Sequence, residues 1–293
     1  MIIRVESKGL NLPLTLYPSF VLALLEERGG AYVKVAGRMR GCFFKVEGEY
    51  IVTNCGFTEV SYWTGVWFLD RLRPSAVKPS LRWLVETLCE AYSSLGLAIN
   101  PFDPLHVFIP VFLSQNTSYH TNVLRWCRSL WSLTDDPLEA GVRAREVSGS
   151  YQLARLYSAV KCCEESLSAD VWETRIALLR CKWVGPKVAD AFLLFGLGDT
   201  TAVPVDKHFT ALISRLGLWR DAKKPQKNLC AQHSCPTCPR REFCLRWRAS
   251  NELGELAGWV QTVFYVHDKL YCSAGKCYEC PLRSECQIEV TRQ

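Results

Sequence analysis

The chain has 293 residues, of which 48% are hydrophobic and 22% charged, and a formal net charge of +6. Such a length buries a sizeable core and such a balance is that of ordinary globular proteins, which excludes a disordered chain. Apolar runs such as Val107 to Leu113 fall well short of the roughly 20 residues of a membrane-spanning helix, and Arg4, Glu6 and Lys8 interrupt the amino terminus before a signal-peptide core develops, so a soluble intracellular protein of the cytoplasm, nucleoid or nucleus is expected.

Residues 1–72 read as an antiparallel β domain. Its aromatic and β-branched stretches, Ala31 to Val35, Cys42 to Val46 and Tyr50 to Thr53, are separated by turn-forming Gly29-Gly30, Gly37 and Gly48. After Pro74 the period changes, and Leu81, Leu84, Val85, Leu88, Tyr92 and Leu95 share one face of a helix. Asn100-Pro101 and Asp103-Pro104 mark a break, after which helices are expected near 105–114, 119–132, 150–166, 171–182, 186–196 and 206–217. The reading is an α+β chain: the sheet domain, a mostly helical core over 73–229, a cysteine loop over 230–248, a late helix within 249–271 and a second cysteine loop over 272–293.

Charge is unevenly spread. From Arg215 to Arg248 nine basic residues stand against two acidic ones, an excess of seven that is larger than that of the whole chain. A local excess of this kind suits the phosphate backbone of a nucleic acid, and equally describes a solvated surface.

Within the helical core, two helical patterns are joined by Trp183-Val184-Gly185, and Pro186 takes the first helical position, where its missing N–H costs nothing. A helix start leaves backbone N–H groups free for a phosphate, and Gly185 allows the phosphate a close approach. Lys187 falls in the first turn, where the positive end of the helix dipole disfavours the ammonium form; a neutral amine is a nucleophile. Asp206 stands 19 residues later, where another helix begins after Pro204. Taken singly, Lys187 reads as a solvated lysine and Asp206 as a helix N-cap.

Fifteen cysteines in a long chain without a secretion signal point to metal binding before a disulfide framework, with intracellular disulfides the alternative in a hyperthermophile. Cys230, Cys235, Cys238 and Cys244 have the spacing C-x4-C-x2-C-x5-C, and Cys272, Cys277, Cys280 and Cys286 repeat it without change. Four thiolates so spaced hold a four-iron cluster or a structural zinc, and spacing does not separate the two. Cys42, Cys55, Cys89, Cys127, Cys162, Cys163 and Cys181 have no ligand-like grouping and read mostly as core residues.

Together, Val184-Gly185-Pro186-Lys187-Val188-Ala189-Asp190 and Val203-Pro204-Val205-Asp206-Lys207-His208 resemble the signature of the helix-hairpin-helix DNA glycosylases. Ala257-Gly258-Trp259-Val260-Gln261-Thr262-Val263-Phe264-Tyr265 is similar to the late helix of the 8-oxoguanine branch, and Phe112-Leu113-Ser114-Gln115-Asn116-Thr117 to a helix end whose polar side chains fill the gap left by an extruded base. The sheet-like amino-terminal region suits the same branch.

This resemblance implies excision of 8-oxoguanine from damaged double-stranded DNA by a monomer, with abasic-site lyase activity and no membrane. Lys187 would attack C1′ and form a Schiff base, Asp206 would stabilise the cationic sugar, Gln261 would read the base and Tyr265 would stack on it. Gln115, Asn116, Val184, Gly185 and His208 would contact DNA. Three positions depart from the pattern: Trp183 replaces the first glycine of the hairpin, Ala191 stands where many members place a cysteine, and Tyr17-Pro18-Ser19-Phe20 lacks a glycine. They bear on recognition of the base, not on the lysine or the aspartate.

The carboxy-terminal quartet resembles the iron–sulfur loop of endonuclease III and its adenine-removing relatives, where the first gap is usually about six residues. A four-iron cluster is thereby implied at Cys272, Cys277, Cys280 and Cys286, and a second centre at the inner quartet by its identical spacing, with zinc the alternative. The loop leaves open an oxidised-pyrimidine glycosylase like endonuclease III, and the hairpin and metal contacts a non-catalytic DNA-binding protein.

Overall fold

The structure, a computed structural model, describes residues 1–287. Strands β1 (Ile3–Glu6), β2 (Leu25–Arg28), β3 (Ala31–Lys34), β4 (Phe43–Glu47) and β5 (Tyr50–Thr53) form one antiparallel sheet in the order β1-β5-β4-β3-β2. The sequence predicts β3, β4 and β5 but not the two edges. β2 reads Leu-Glu-Glu-Arg, with no β-branched residue and only Leu25 buried; an edge strand tolerates such charge because one side meets water.

Helices α1 (Leu12–Leu16) and α2 (Phe57–Thr64) pack with the sheet around a small core that includes Leu16, Phe44, Ile51 and Trp63. The rest is helical: α3 (Arg82–Ala91), α4 (Pro104–Leu113), α5 (Leu124–Leu133), α6 (Pro137–Val147), α7 (Tyr151–Ala154), α8 (Leu156–Ser166), α9 (Val171–Arg180), α10 (Pro186–Leu197), α11 (Lys207–Arg215), α12 (Lys227–Cys230), α13 (Leu245–Leu253) and α14 (Ala257–His267). Central α4 is buried from Val107 to Leu113 and packs against α8 and α10. This is the expected α+β architecture, a sheet followed by a helical body.

Two differences from the predicted helices have physical causes. The stripe from Leu81 to Leu95 outlasts its helix: α3 ends at Ala91, and Tyr92 and Leu95 are buried from the loop that follows. Helix α6 is absent from the predicted set because its buried stripe is Ala140, Gly141 and Ala144, which carry little apolar signal. Those small residues bring α6 close to α8; a Cβ on Gly141 would lie 2.7 Å from Tyr157 Cα.

The two cores are tied by a buried ion pair. Lys34 Nζ donates to Asp103 Oδ2 at 2.8 Å and to the carbonyl of Ala36 at 2.6 Å, and Asp103 also accepts from Arg38 N (2.7 Å) and Asn100 Nδ2 (2.9 Å). Burial lowers the Lys34 pKa and the Asp103 carboxylate opposes that shift. Gly37, at φ +77°, is required here, because a Cβ would meet the Asp103 carboxyl at 2.7 Å. Asp103→Ala is expected to cost about 3–5 kcal/mol in urea unfolding, since it strands a buried ammonium, and Asp103→Asn less. A loss below about 1 kcal/mol for the alanine variant would show that water reaches the lysine.

Of the seven cysteines read as mostly core residues, Cys42, Cys55, Cys127, Cys163 and Cys181 are indeed buried in the two cores, and four of the seven are also paired. Cys42 and Cys55 form a disulfide (Cα–Cα 5.3 Å), as do Cys162 and Cys181 (6.0 Å), whereas Cys89, Cys127 and Cys163 are free. The first pair follows from sheet register. Phe44 faces Thr53 across β4 and β5, so two residues further along Cys42 and Cys55 stand opposite each other. The second ties the end of α8 to the turn after α9; linear spacing encodes neither pairing.

Candidate active site

α9 and α10 form the expected hairpin. Trp183 adopts φ +64°, the left-handed conformation a glycine takes most readily, and its ring lies 4.9 Å from the cationic groups of both Arg155 and Lys182. Val184 is buried in the core. Gly185 caps α10 with extended backbone, and a Cβ there would meet nothing within 4 Å, so the helix start is open to an approaching group.

Lys187, in the first turn of α10, and Asp206, the N-cap of α11, line one cavity of about 700 Å³ together with Gln261 and Tyr265 of α14. Burial pulls the Lys187 pKa below its ordinary value; the Asp206 carboxylate acts against that shift and the Lys207 ammonium with it. Asp206 serves two ends at once, because its Oδ1 accepts the Phe209 N–H at 2.7 Å while the residue lines the cavity. The N-cap and cavity readings of Asp206 are therefore compatible.

Helix α14 reaches this wall because Gly258 permits it. A Cβ at Gly258 would lie 2.4 Å from Leu194 Cδ1 and 2.9 Å from the Thr200 carbonyl, and the Gly258 N–H donates to that carbonyl at 2.8 Å. Trp259, fully buried, donates from Nε1 to the Leu95 carbonyl at 2.8 Å and anchors the opposite face. Gln261, 5% exposed, and Tyr265 then face the cavity. Burial raises the Tyr265 phenol pKa, with Tyr17 and Asp206 adding to the shift, so the ring is uncharged at neutral pH.

His208 also lines the cavity, but its Nδ1 is 2.6 Å from Asp268 Oδ2 and its ring meets Tyr265 edge-on at 4.8 Å. Asp268 accepts in addition from Ser273 Oγ at 2.8 Å. The histidine is thus bound into the wall and fixes Tyr265. Asn116 is exposed at the rim with φ +51°. Gln115 turns away, donating from Nε2 to the Phe112 carbonyl at 2.9 Å, and its own carbonyl accepts from Gln152 Nε2. Ala191 lines the floor and is buried.

Several lining groups carry no local sequence signal. His120 stacks on Tyr17 with centroids 4.1 Å apart; its Nε2 is buried with no hydrogen-bond partner among the described residues, and burial lowers its pKa. Lys207, Lys224 and Lys269 place three further ammonium groups around the opening. Of the basic segment 215–248 only Lys224 reaches the cavity. Arg246 is fully buried and takes one charge of that excess inward, while Arg248 pairs with Asp221 at 2.8 Å and Arg241 with Glu242 at 3.0 Å, the two acidic residues of the segment.

The eight quartet cysteines are all free thiols. Their loops repeat one backbone pattern: Cys238 N–H donates to the Cys235 carbonyl (3.3 Å), Arg241 N–H to Cys238 (3.2 Å) and Cys244 N–H to Arg241 (2.9 Å), and the counterparts are Cys280 to Cys277 (3.4 Å), Arg283 to Cys280 (3.1 Å) and Cys286 to Arg283 (3.3 Å). Among the described residues no three His, Cys, Asp or Glu side chains converge in ligating positions. The thiol donor set and the repeated turns nevertheless fit a tetrathiolate centre, and a cavity of about 50 Å³ lined by Cys230, Cys238 and Cys244 adjoins the inner set. The outer loop continues directly from α14, and its Cys280 Sγ is 3.3 Å from His267 Nε2. Among the described residues no helix is long and apolar enough to cross a membrane.

No protein-family model matches the chain, and no curated protein matches it either. Among solved structures it is similar to the 8-oxoguanine glycosylase/lyase of Clostridium acetobutylicum in complex with double-stranded DNA containing cytosine opposite 8-oxoguanine, with 14% identity and a TM-score of 0.66 over 92% of this chain and 98% of that one. The apo form of the same enzyme gives 15% and 0.67 over 90% and 95%. The 3-methyladenine DNA-glycosylase of Archaeoglobus fulgidus gives 13% and 0.60 over 91% and 98%. At these identities the likeness is one of fold, and it spans nearly the whole of each chain.

Proposed function

We propose that the protein is a base-excision repair glycosylase with abasic-site lyase activity that removes 8-oxoguanine from double-stranded DNA. The observation that carries this reading is the meeting of Lys187 and Asp206 on the wall of a cavity large enough for a base, which Gln261 and Tyr265 also line. The fold shared with the Clostridium acetobutylicum 8-oxoguanine glycosylase/lyase supports it.

A base inside a duplex cannot reach such a cavity, so the damaged nucleotide must be extruded. The gap is then filled from the Asn116 turn at the rim, while the open start of α10 at Gly185 and the ammonium groups of Lys207, Lys224 and Lys269 hold the backbone phosphates. Tyr265 supplies a face for stacking, and Gln261 offers an amide donor and a carbonyl acceptor to the base edge. His120, with its unpartnered Nε2, offers a further polar contact.

In the reaction the uncharged Lys187 amine forms a bond to C1′ as the glycosidic bond breaks, and the bonding pair leaves with the base, which takes up a proton. Positive charge develops on the sugar, where the Asp206 carboxylate stabilises it. Loss of a proton from the bound amine, and opening of the sugar ring as the C1′–O4′ bond breaks and O4′ takes up a proton, give the Schiff base from which strand cleavage proceeds. The metal assignment belongs to the same proposal: Cys272, Cys277, Cys280 and Cys286 would hold a four-iron cluster and Cys230, Cys235, Cys238 and Cys244 a second centre, iron–sulfur or zinc. When bound, each would pin its loop and take no part in base excision.

Excision from duplexes carrying 8-oxoguanine, thymine glycol, uracil, or adenine opposite 8-oxoguanine decides the substrate. The 8-oxoguanine duplex is expected to react fastest, and Gln261→Ala to lose roughly tenfold to a hundredfold on it, the effect of one or two base contacts. Fastest release of thymine glycol would instead assign the oxidised-pyrimidine activity that the outer cysteine loop suggests.

A further inference from the structure

We propose that Arg175 and Arg246 are the counter-cations of an anionic tetrathiolate metal centre at the inner quartet, and that through Asp190 this centre fixes the helix carrying Lys187. The inference rests on the metal reading of Cys230, Cys235, Cys238 and Cys244, and not on the glycosylase reading.

Two arginines share one carboxylate in the interior. Arg175 of α9 donates to Asp190 from Nε (2.7 Å) and Nη2 (3.0 Å), and Arg246 of α13 donates to the same Oδ1 from Nε at 3.2 Å. All three side chains are 0% exposed. One positive charge is therefore left unbalanced where water cannot screen it. Arg175 Nη1 and both terminal nitrogens of Arg246 are buried and find no acceptor among the described residues. Trp172 covers Arg246, 4.8 Å from its ring centroid, and removes that side from hydration.

What the guanidinium groups face is the inner quartet. Helix α9, which carries Arg175, packs against α12, which ends in Cys230, and Arg246 follows Cys244 by two residues at the start of α13, so both guanidinium groups lie beside the quartet. The Cys230 and Cys235 thiols are buried. A neutral thiol is a weak acceptor and balances no charge. Four thiolates around zinc or a four-iron cluster carry a net charge of about −2, which supplies the missing anion and acceptor sulfurs whichever metal is bound. Lys223, Lys224 and Arg240, which line the adjoining small cavity, meet the remaining negative charge from the outside.

The arrangement joins four segments at one point. Arg175 comes from the first hairpin helix, Asp190 from the second, Arg246 from the helix that follows the cysteine loop, and the thiols from the loop itself. Asp190 lies one turn after Lys187 on α10. Loading the quartet thus sets the hairpin, and Arg175 and Arg246 are positioning residues for the lysine rather than catalytic ones.

The test uses the full chain as purified, with iron and zinc quantified per chain and thermal unfolding recorded, and needs no DNA. Cys235→Ser/Cys238→Ser is expected to lose one centre's metal and unfold at lower temperature. Arg246→Met is expected to bring the metal content down to the same level, while Arg246→Lys keeps it. In the Cys235→Ser/Cys238→Ser background, Arg246→Met is expected to raise the unfolding temperature, because the cation it removes no longer has its anion. An equal loss from Arg246→Met in both backgrounds would confine the arginine to its bond with Asp190 and overturn the proposal, as would a natural chain holding no more metal than the double serine variant. If Arg246→Met does not fold, Arg246→Gln challenged with EDTA decides: faster metal release than in the natural chain and in Arg246→Lys supports the proposal, and a rate equal to theirs refutes it.

Discussion

Lys187→Gln is expected to abolish the covalent product that borohydride traps between the protein and a lesion-bearing duplex, and to slow single-turnover base release by roughly a thousandfold or more. The expectation follows from where the amine sits. It lies in the first turn of α10, half-buried, with its pKa lowered chiefly by burial, and it faces a cavity rather than solvent. Glutamine retains most of the length and the polarity of the side chain without a nucleophilic amine, so the cavity wall and the hairpin stay intact. Unchanged unfolding temperature and unchanged binding to the duplex would confirm that only the chemistry is lost. Trapping that survives in Lys187→Gln would move the nucleophile to another amine at the opening, Lys207, Lys224 or Lys269, and the proposed mechanism would fail.

Asp206→Asn should be nearly silent in stability and costly in rate. The amide oxygen can still accept the Phe209 N–H that the carboxylate accepts at 2.7 Å, so the N-cap of α11 survives. The charge opposite the developing cation is gone, and a loss of roughly 100- to 1,000-fold in base release is expected, the range found when one electrostatic stabiliser is removed from a site. The pH profile carries the sharper signature. In the natural chain the rate rises with pH as Lys187 loses its proton and levels off above a midpoint lying below the ordinary lysine value. The Asp206 carboxylate raises the Lys187 pKa against the effect of burial, so its removal moves that midpoint to lower pH while the plateau falls. A variant with the natural midpoint would separate the two residues and remove Asp206 from the reacting centre.

Much of this site is legible residue by residue. Pro186 after Gly185, Lys187 one residue into a helix, Pro204 ahead of Asp206 and the polar turn at Asn116 are local signals, and local backbone preference is what short spacing encodes. The late helix is legible too, although Gln261 and Tyr265 on it read equally as packed residues. Other features are not. The Tyr17–His120 stack and the His208–Asp268 pair join residues 103 and 60 positions apart, and only packing brings them together. Charge misleads in the same way: Arg246 belongs to a basic run that suits phosphate, yet it is among the most deeply buried side chains of the protein.

Apart from the two edge strands and α6, the sequence by itself determined the main element types, the hairpin with its lysine, and the two cysteine spacings, because periodicity, turn chemistry and ligand spacing act over a few neighbouring residues. The tertiary structure alone decided which side chains share a cavity, which cysteines pair with each other and which cations turn inward. Those outcomes depend on burial and on register between distant segments: a residue's partner is whatever the packed chain sets opposite it, as Thr53 is set opposite Phe44, and through them Cys55 opposite Cys42.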